Sequence, residues 1–221
     1  MSTPKRMLDI TLASLAVMLF WPVLLWFSLR IWWQGDGPIF YVSERMKTPE
    51  RSFGLLKFRT MSVQLDDSGV TGPEKAHRIT PLGEMMRKHR FDELPQLWNI
   101  LKGDISIVGP RPPLREYVEQ FPGIYADVLK SRPGVTGLAT LAFHRREARL
   151  LGDCISAAET EEVYCRRCIP RKARLDLAYQ KNATVLLDLW ILWRTLRQLA
   201  TRSHSPKLPA KIMDCNQVIN L

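Results

Sequence analysis

The strongest feature of the hydropathy pattern is an uncharged run of twenty residues, Ile10 to Leu29 (ITLASLAVMLFWPVLLWFSL), preceded by Lys5, Arg6 and Asp9 and followed by Arg30. Twenty apolar residues in a helix match the hydrocarbon thickness of a bilayer. The run is too long for a signal peptide and no small-residue cleavage site follows it, so it reads as an N-terminal membrane anchor. Pro22 lies near its middle, where it removes a backbone hydrogen bond and kinks or breaks a helix. Basic residues flank both ends, Lys5 and Arg6 before, then Arg30, Arg45, Lys47 and Arg51 after. The positive-inside rule keeps both flanks cytoplasmic. A helix that breaks at Pro22, dips into the bilayer and returns meets both observations. A kinked crossing helix meets the first, because spans tolerate such kinks. Both stay open at this point.

Downstream the pattern changes to short alternating and helical segments. Residues 34–42 (QGDGPIFYV) read as a Gly/Pro turn entering a strand. Phe53–Met61 (FGLLKFRTM) is a second strand candidate, with Lys57 and Arg59 on alternate positions and hence on one face. The polar stretch 62–79 reads as a loop. Thr80–Arg90 reads as a helix with Thr80 as cap and Pro81 in the first turn. A helix from Asp92 to Leu101 follows, stopped by Gly103. Ser106 lies in a short strand (DISIVG), PRPPLREYVEQFPGIYADVL leads into further helix, and SRPGVTGLA is a loop. Residues 156–180 and 183–200 read as two more helices. The last has Trp190 and Trp193 near Arg194 and Arg197, which suits a membrane interface as well as a core. The expected organisation is a membrane-inserted segment 1–33, a domain over 34–201 and a tail over 202–221. Its fold class is α+β, mostly helical with a small sheet and interfacial amphipathic helices.

Composition narrows the partners. Apolar residues make up 46% of the chain and charged residues 24%, with a net charge of +10. That excludes a disordered or wholly membrane-embedded protein and points to an anionic partner. The cysteines are Cys154, Cys165, Cys168 and Cys215, with Cys165 and Cys168 as a lone C-x-x-C pair. A zinc site needs a second pair or nearby histidines at ligand spacing, so these read as reduced structural thiols.

The chemistry concentrates in RFDELPQLWNILKGDISIVGPRPP. Pro95 fits a first helical turn and puts Asp92 and Glu93 at the helix start, where free N–H groups favour anions. Simple capping does not account for three basic sets close by: Arg87 with Arg90, Lys57 with Arg59, and Arg111 in a proline-stiffened GPRPP loop. Cations around two adjacent carboxylates suit phosphoryl transfer. One carboxylate can attack phosphorus and its neighbour can help hold Mg²⁺. No P-loop or G-x-G-x-x-G motif is present, which argues against a nucleotide kinase or dehydrogenase.

At these residues the chain resembles the bacterial sugar transferases, the monotopic phosphoglycosyl transferases. The resemblance runs through KRMLDI, GDGPIFY, KFRTM, RFDELPQLWNILKGDISIVGPRP, RPGVTGLA and DLWILWRTL, in order over roughly residues 4–200. It implies a re-entrant helix broken near Pro22 and a catalytic domain on the cytoplasmic face of the bacterial inner membrane. It implies a ping-pong transfer in which Asp92 attacks a UDP-sugar, releases UMP and carries a covalent phosphosugar to polyprenyl (undecaprenyl) phosphate. This would be the first membrane step of surface glycan assembly. Glu93 would assist with Mg²⁺ and proton transfer, and Lys57, Arg59, Arg87 and Arg111 would grip phosphates or the nucleotide. The expected partners are the UDP-sugar, the polyprenyl phosphate and the bilayer, with no nucleic acid; a homodimer is left open. The chain departs from many relatives at Thr140, where a glutamine is common, in the following LAFHRREARLLGD, and in SERMK with Ser43 and Met46. These departures spare the carboxylates but leave the sugar open.

Two other classes compete. A membrane-tethered nucleic-acid-binding or scaffold protein would explain the charge and the anchor, but no nucleic-acid-binding pattern is present. A membrane phosphatase working through an aspartyl-phosphate would share the nucleophile and transfer to water.

Overall fold

The computed structural model describes residues 3–35, 37–62 and 78–201, so most of the polar stretch 62–79 and the tail from Arg202 lie outside the described residues. Helix α1, Thr3–Trp33, is a single helix with Pro22 inside it. Its first turns are tied to the rest of the chain by the charged residues that precede the apolar run. Arg6 donates to the carbonyls of Ile100 at 2.6 Å and Leu101 at 2.7 Å. These lie in the last turn of α3 (Gln96–Lys102), where unsatisfied carbonyls attract a cation. Asp9, buried, accepts from the Ser106 hydroxyl at 2.8 Å and the Ile107 N–H at 3.1 Å. Lys5 pairs with Asp188 at 2.6 Å. The sequence pattern presented these three residues only as flanks of an anchor; they are its attachment points.

Two small sheets frame the domain. The first is an antiparallel hairpin of β1 (Phe40–Thr48) and β2 (Arg51–Phe58), with Phe40 opposite Phe58. The Asn99 side chain on α3 bonds the Leu56 N–H at 2.9 Å and the Gly54 carbonyl at 2.8 Å, fixing the hairpin to that helix. The second is a parallel pair, β3 (Ser106–Val108) and β4 (Gly134–Thr136). The stretch SRPGVTGLA is therefore not a loop throughout: it holds a strand and then starts a helix. A three-residue strand bracketed by Gly134 and Gly137 has no periodicity to read. These glycines are required by contact. A Cβ on Gly134 would lie 2.2 Å from the Gly109 nitrogen, and one on Gly137 would lie 2.1 Å from the Gly109 carbonyl oxygen. The crossing holds the GPRPP loop, and with it Arg111, against the sheet.

Helices complete the domain. After α2 (Pro81–His89) and α3 come α4 (Arg115–Gln120), α5 (Pro122–Val128) and α6 (Leu138–Gly152). Then follow α7 (Ala157–Val163), a π-helical turn (Tyr164–Cys168), α8 (Ile169–Lys181) and α9 (Val185–Thr201). The C-x-x-C pair falls on the π-helical turn, with Cys168 buried. One core cluster joins Tyr117, Val118, Tyr125 and Val128 to Ile169 and Ala173; a second joins Val108, Leu138 and Leu141 to Tyr179 and Ile191. The far half of α1 packs differently: Phe27 and Ile31 are buried against Phe58 and Met86. Between its two attached ends, Leu15, Met18, Leu19 and Trp21 are exposed.

Candidate active site

The two carboxylates owe their place to how α2 ends and α3 begins. Thr80 caps α2, accepting from the Gly83 N–H at 3.0 Å, with Pro81 in the first turn as the sequence predicts. Gly83 lies so close to the end of the hairpin that a Cβ there would meet the Thr60 carbonyl oxygen at 2.1 Å. Arg90 ends α2 in the left-handed region at φ 61°, and the chain turns into a 3₁₀ turn, Phe91–Glu93. The expected helix from Asp92 to Leu101 is thus divided. Asp92 and Glu93 precede α3 rather than opening it. Pro95 has no N–H to bond back into the turn, and Leu94 before it stays in the helical region, so 3₁₀ bonds carry the chain into α3. Glu93 N–H bonds the Arg90 carbonyl at 3.2 Å, and Leu94 N–H bonds that of Phe91 at 3.2 Å. Phe91 and Leu94 pack on the cluster of Phe27, Phe58 and Met86, which fastens the turn to the far half of α1.

The turn gives its two carboxylates opposite surroundings. Glu93 Oε1 is ringed by cations: Arg90 Nη1 at 3.2 Å, Arg111 Nη2 at 3.3 Å and Lys57 Nζ at 3.7 Å. Burial pushes the Glu93 acid up, but Arg111, Lys57 and Arg90 outweigh it and hold the group below the usual carboxylate range. Asp92 is buried, and its Oδ1 has no hydrogen-bond partner among the described residues. Burial, then the Glu93 charge, raises its pKa, against the pull of Lys57, Arg90 and Arg87. Two adjacent acids driven apart in this way divide into a fixed anion and an unbonded oxygen able to react.

The four basic residues expected to grip phosphate, Lys57, Arg59, Arg87 and Arg111, line the same cavity as the two acids, a space of about 1740 Å³. Lys57 and Arg111 touch Glu93. Arg87 donates to the Thr60 hydroxyl at 2.8 Å. Arg59 has a buried Nη1 without a hydrogen-bond partner among the described residues. The face predicted from the alternation of Lys57 and Arg59 is therefore real. Arg90, which the sequence set beside the acids together with Arg87, lines the cavity too and bonds Glu93 at i,i+3 spacing. The sequence pattern did not show α6, which brings Thr140, noted only as a departure from relatives, and His144 to the cavity. The cavity also has an apolar lining, from Leu12, Ala16 and Phe20 of α1 with Leu192 and Leu196 of α9. The site is thus a cationic floor beside an apolar wall that belongs to the membrane-like helix.

A divalent cation fits this floor under one condition. The described residues contain no group of three or more His, Cys, Asp or Glu placed to hold a metal ion. The free Asp92 oxygen and Glu93 supply one or two carboxylate ligands, the number Mg²⁺ takes when substrate phosphates complete its shell.

Comparison with known proteins gives a consistent answer. The sequence profile of the family described as Bacterial sugar transferase matches residues 1–202. A UDP-N-acetylgalactosamine-undecaprenyl-phosphate N-acetylgalactosaminephosphotransferase of Aeromonas hydrophila is 32% identical over 203 residues, covering 89% of this chain but 44% of that protein. A UDP-glucose:undecaprenyl-phosphate glucose-1-phosphate transferase of Caulobacter vibrioides is 33% identical over 205 residues, covering 91% of this chain and 71% of the relative. The exopolysaccharide production protein ExoY of Rhizobium meliloti is 29% identical over 208 residues, covering 87% and 83%. This chain spans less than half the length of the Aeromonas relative and most of the other two. With the profile matched from the first residue of α1 through α9, and the acid pair seated in a cationic cavity, the chain belongs to the bacterial sugar transferase family.

Proposed function

We propose that this chain transfers a sugar 1-phosphate from a UDP-sugar to a polyprenyl phosphate, giving a polyprenyl diphosphate-sugar and UMP. The observation that carries the reading is the unbonded, buried Asp92 oxygen beside a Glu93 clamped by Lys57, Arg90 and Arg111. In the first step Asp92 attacks the phosphorus that bears the sugar. The bond from that phosphorus to the UMP oxygen breaks, UMP leaves, and an aspartyl phosphosugar remains. In the second step an oxygen of the lipid phosphate attacks the same phosphorus and Asp92 departs as a carboxylate. Lys57, Arg59, Arg90 and Arg111 neutralise the phosphoryl oxygens in both steps. Asp92 and Glu93 would hold Mg²⁺ together with the diphosphate, and the ion supplies further charge neutralisation there.

A polyprenyl acceptor stays in the bilayer, so the nucleophile has to work at its surface. Several observations support a re-entrant α1 over a crossing one. A crossing helix separates its ends by about 30 Å of hydrocarbon. Here the first turns bond to α3 and β3 while the far turns pack on the hairpin and α2, parts of one domain. The exposed apolar middle of α1 is the part left for lipid. Basic residues on both flanks favour the cytoplasmic side of the bacterial inner membrane for the 34–201 domain. α9 fits the interface, with Arg194 stacked 5.6 Å from Trp190 and Arg197 5.5 Å from Trp193, and with Leu186 and Leu196 exposed.

The test is UMP release from a panel of UDP-sugars by detergent-purified protein with Mg²⁺, with and without undecaprenyl phosphate. The reading requires sustained release that depends on the lipid phosphate. Equal release without it would make the protein a hydrolase of the aspartyl-phosphate kind.

A further inference from the structure

The cavity sorts its polar groups by charge. Lys57, Arg90 and Arg111 surround the acid pair, Arg59 lines the same cavity, and all four suit phosphate oxygens. A sugar is a different target: its hydroxyls or acetamido group are neutral and want neutral donors and acceptors. Three of the four threonines on the cavity wall are already engaged. Thr60 accepts from Arg87 at 2.8 Å, and Thr136 and Thr195 bond each other at 3.0 Å. Thr140 is the fourth and makes no hydrogen bond among the described residues. One turn further along α6, His144 also faces the cavity without a hydrogen bond.

His144 lies within electrostatic reach of Arg90 and Arg111, and both of these guanidiniums hold Glu93 Oε1, at 3.2 Å and 3.3 Å. Burial lowers the imidazole pKa below its ordinary value, Arg90 and Arg111 lower it further and Lys172 adds to them, while Glu147 opposes. At neutral pH the ring is therefore uncharged, with one N–H donor and one acceptor nitrogen. Thr140 and His144 put neutral hydrogen-bonding groups on the wall of the same cavity that holds the acid pair.

Resting on the transfer reading above, we infer that Thr140 and His144 on α6 recognise the sugar of the donor, reading its hydroxyl or acetamido groups, and so decide which UDP-sugar the site accepts. Relatives that share the family differ in this respect by name, one taking an N-acetylgalactosamine donor and another a glucose donor. The inference commits the phosphate-binding cations to no part in that choice.

The experiment compares kcat/KM for UDP-glucose, UDP-galactose, UDP-N-acetylglucosamine and UDP-N-acetylgalactosamine in wild type, Thr140→Val, His144→Ala and His144→Gln, at fixed undecaprenyl phosphate. Selectivity is a ratio taken on one preparation, so loss of folded protein cancels. The expected result is a wild type that prefers one donor, with the preference over its epimer or its acetamido counterpart shrinking about tenfold in His144→Ala and in Thr140→Val, the scale of one neutral hydrogen bond. His144→Gln, which keeps a donor and an acceptor, restores part of the ratio. Equal loss for all four donors, or an unchanged ratio, overturns the inference while leaving the transfer reading intact. So does a wild type without preference. A wild type that turns over none of the four overturns the transfer reading itself, and the inference with it.

Discussion

Replacing Asp188 by leucine should break the buried joint between the first and last helices. Asp188 Oδ2 lies 2.6 Å from Lys5 Nζ, with side chains 4% and 15% exposed. Its Oδ1 accepts from the Tyr179 hydroxyl at 2.6 Å, and Lys5 also donates to the Val108 carbonyl at 3.0 Å. Without the carboxylate an ammonium stays buried with neutral partners only, which costs about 3–5 kcal/mol. In a domain of this size each kcal/mol moves the melting midpoint by roughly 2–4 °C, so the variant should melt roughly 6–20 °C lower. Lys5→Met combined with Asp188→Leu removes both charges and leaves the Tyr179 hydroxyl only the longer bond to the Val108 carbonyl at 3.3 Å, a loss of about 1 kcal/mol. The double variant should therefore be more stable than Asp188→Leu alone. Tryptophan fluorescence during heating in detergent, at one scan rate, reads the four midpoints of wild type, Lys5→Met, Asp188→Leu and the double variant. If the two single losses add in the double variant, the joint is not a coupled buried pair and the attachment of α1 rests elsewhere.

Two further outcomes follow from the buried acids. Lys57 favours the ionised form of Asp92, which is the attacking form, so Lys57→Gln should move the acid limb of the kcat profile to higher pH and lower kcat by about 10²-fold. A profile displaced to lower pH, or unmoved, would contradict the assigned roles. Asp176 on α8 is buried, with one oxygen unpartnered, and burial pushes its pKa up to about 7 from 3.8 against the pull of Lys172. A folded value above the unfolded one favours folding below the unfolded value, and this stabilisation is lost as pH rises toward the folded value. Asp176→Asn should thus remove roughly 4 kcal/mol of pH-dependent destabilisation between pH 4 and 8. Melting midpoints measured across that range would show it, and identical slopes in wild type and variant would refute it.

The parts of the fold that sequence exposed are those with a local cause. Thr80, Pro81 and Gly103 mark helix ends through cap chemistry, and each does so in the structure. Lys57 and Arg59 alternate along an extended segment, Lys57 in β2 and Arg59 just past its end, and both line the cavity. What stayed hidden depends on contacts distant in sequence. β4 exists because Gly109, Gly134 and Gly137 let two backbones touch, and no three-residue window shows that. Lys5, Arg6 and Asp9 look like the flank of an anchor until their partners, more than 90 residues away, are known. α6 carries arginines along an otherwise mixed pattern, so its helical period is weak and Thr140 and His144 gave no sign of facing the acids. The acid pair itself was legible as chemistry. Its exact seat, a 3₁₀ turn before α3, was not, because Pro95 fits both arrangements.

The central claim is that Asp92 carries the phosphosugar. The most direct measurement is the intact mass of the protein after incubation with its UDP-sugar and Mg²⁺ in the absence of lipid acceptor. A mass gain equal to one phosphosugar is expected, absent in Asp92→Asn and discharged when undecaprenyl phosphate is added. An unmodified wild type that nevertheless releases UMP only when acceptor is present would contradict it, and would mean that the lipid phosphate attacks the UDP-sugar directly.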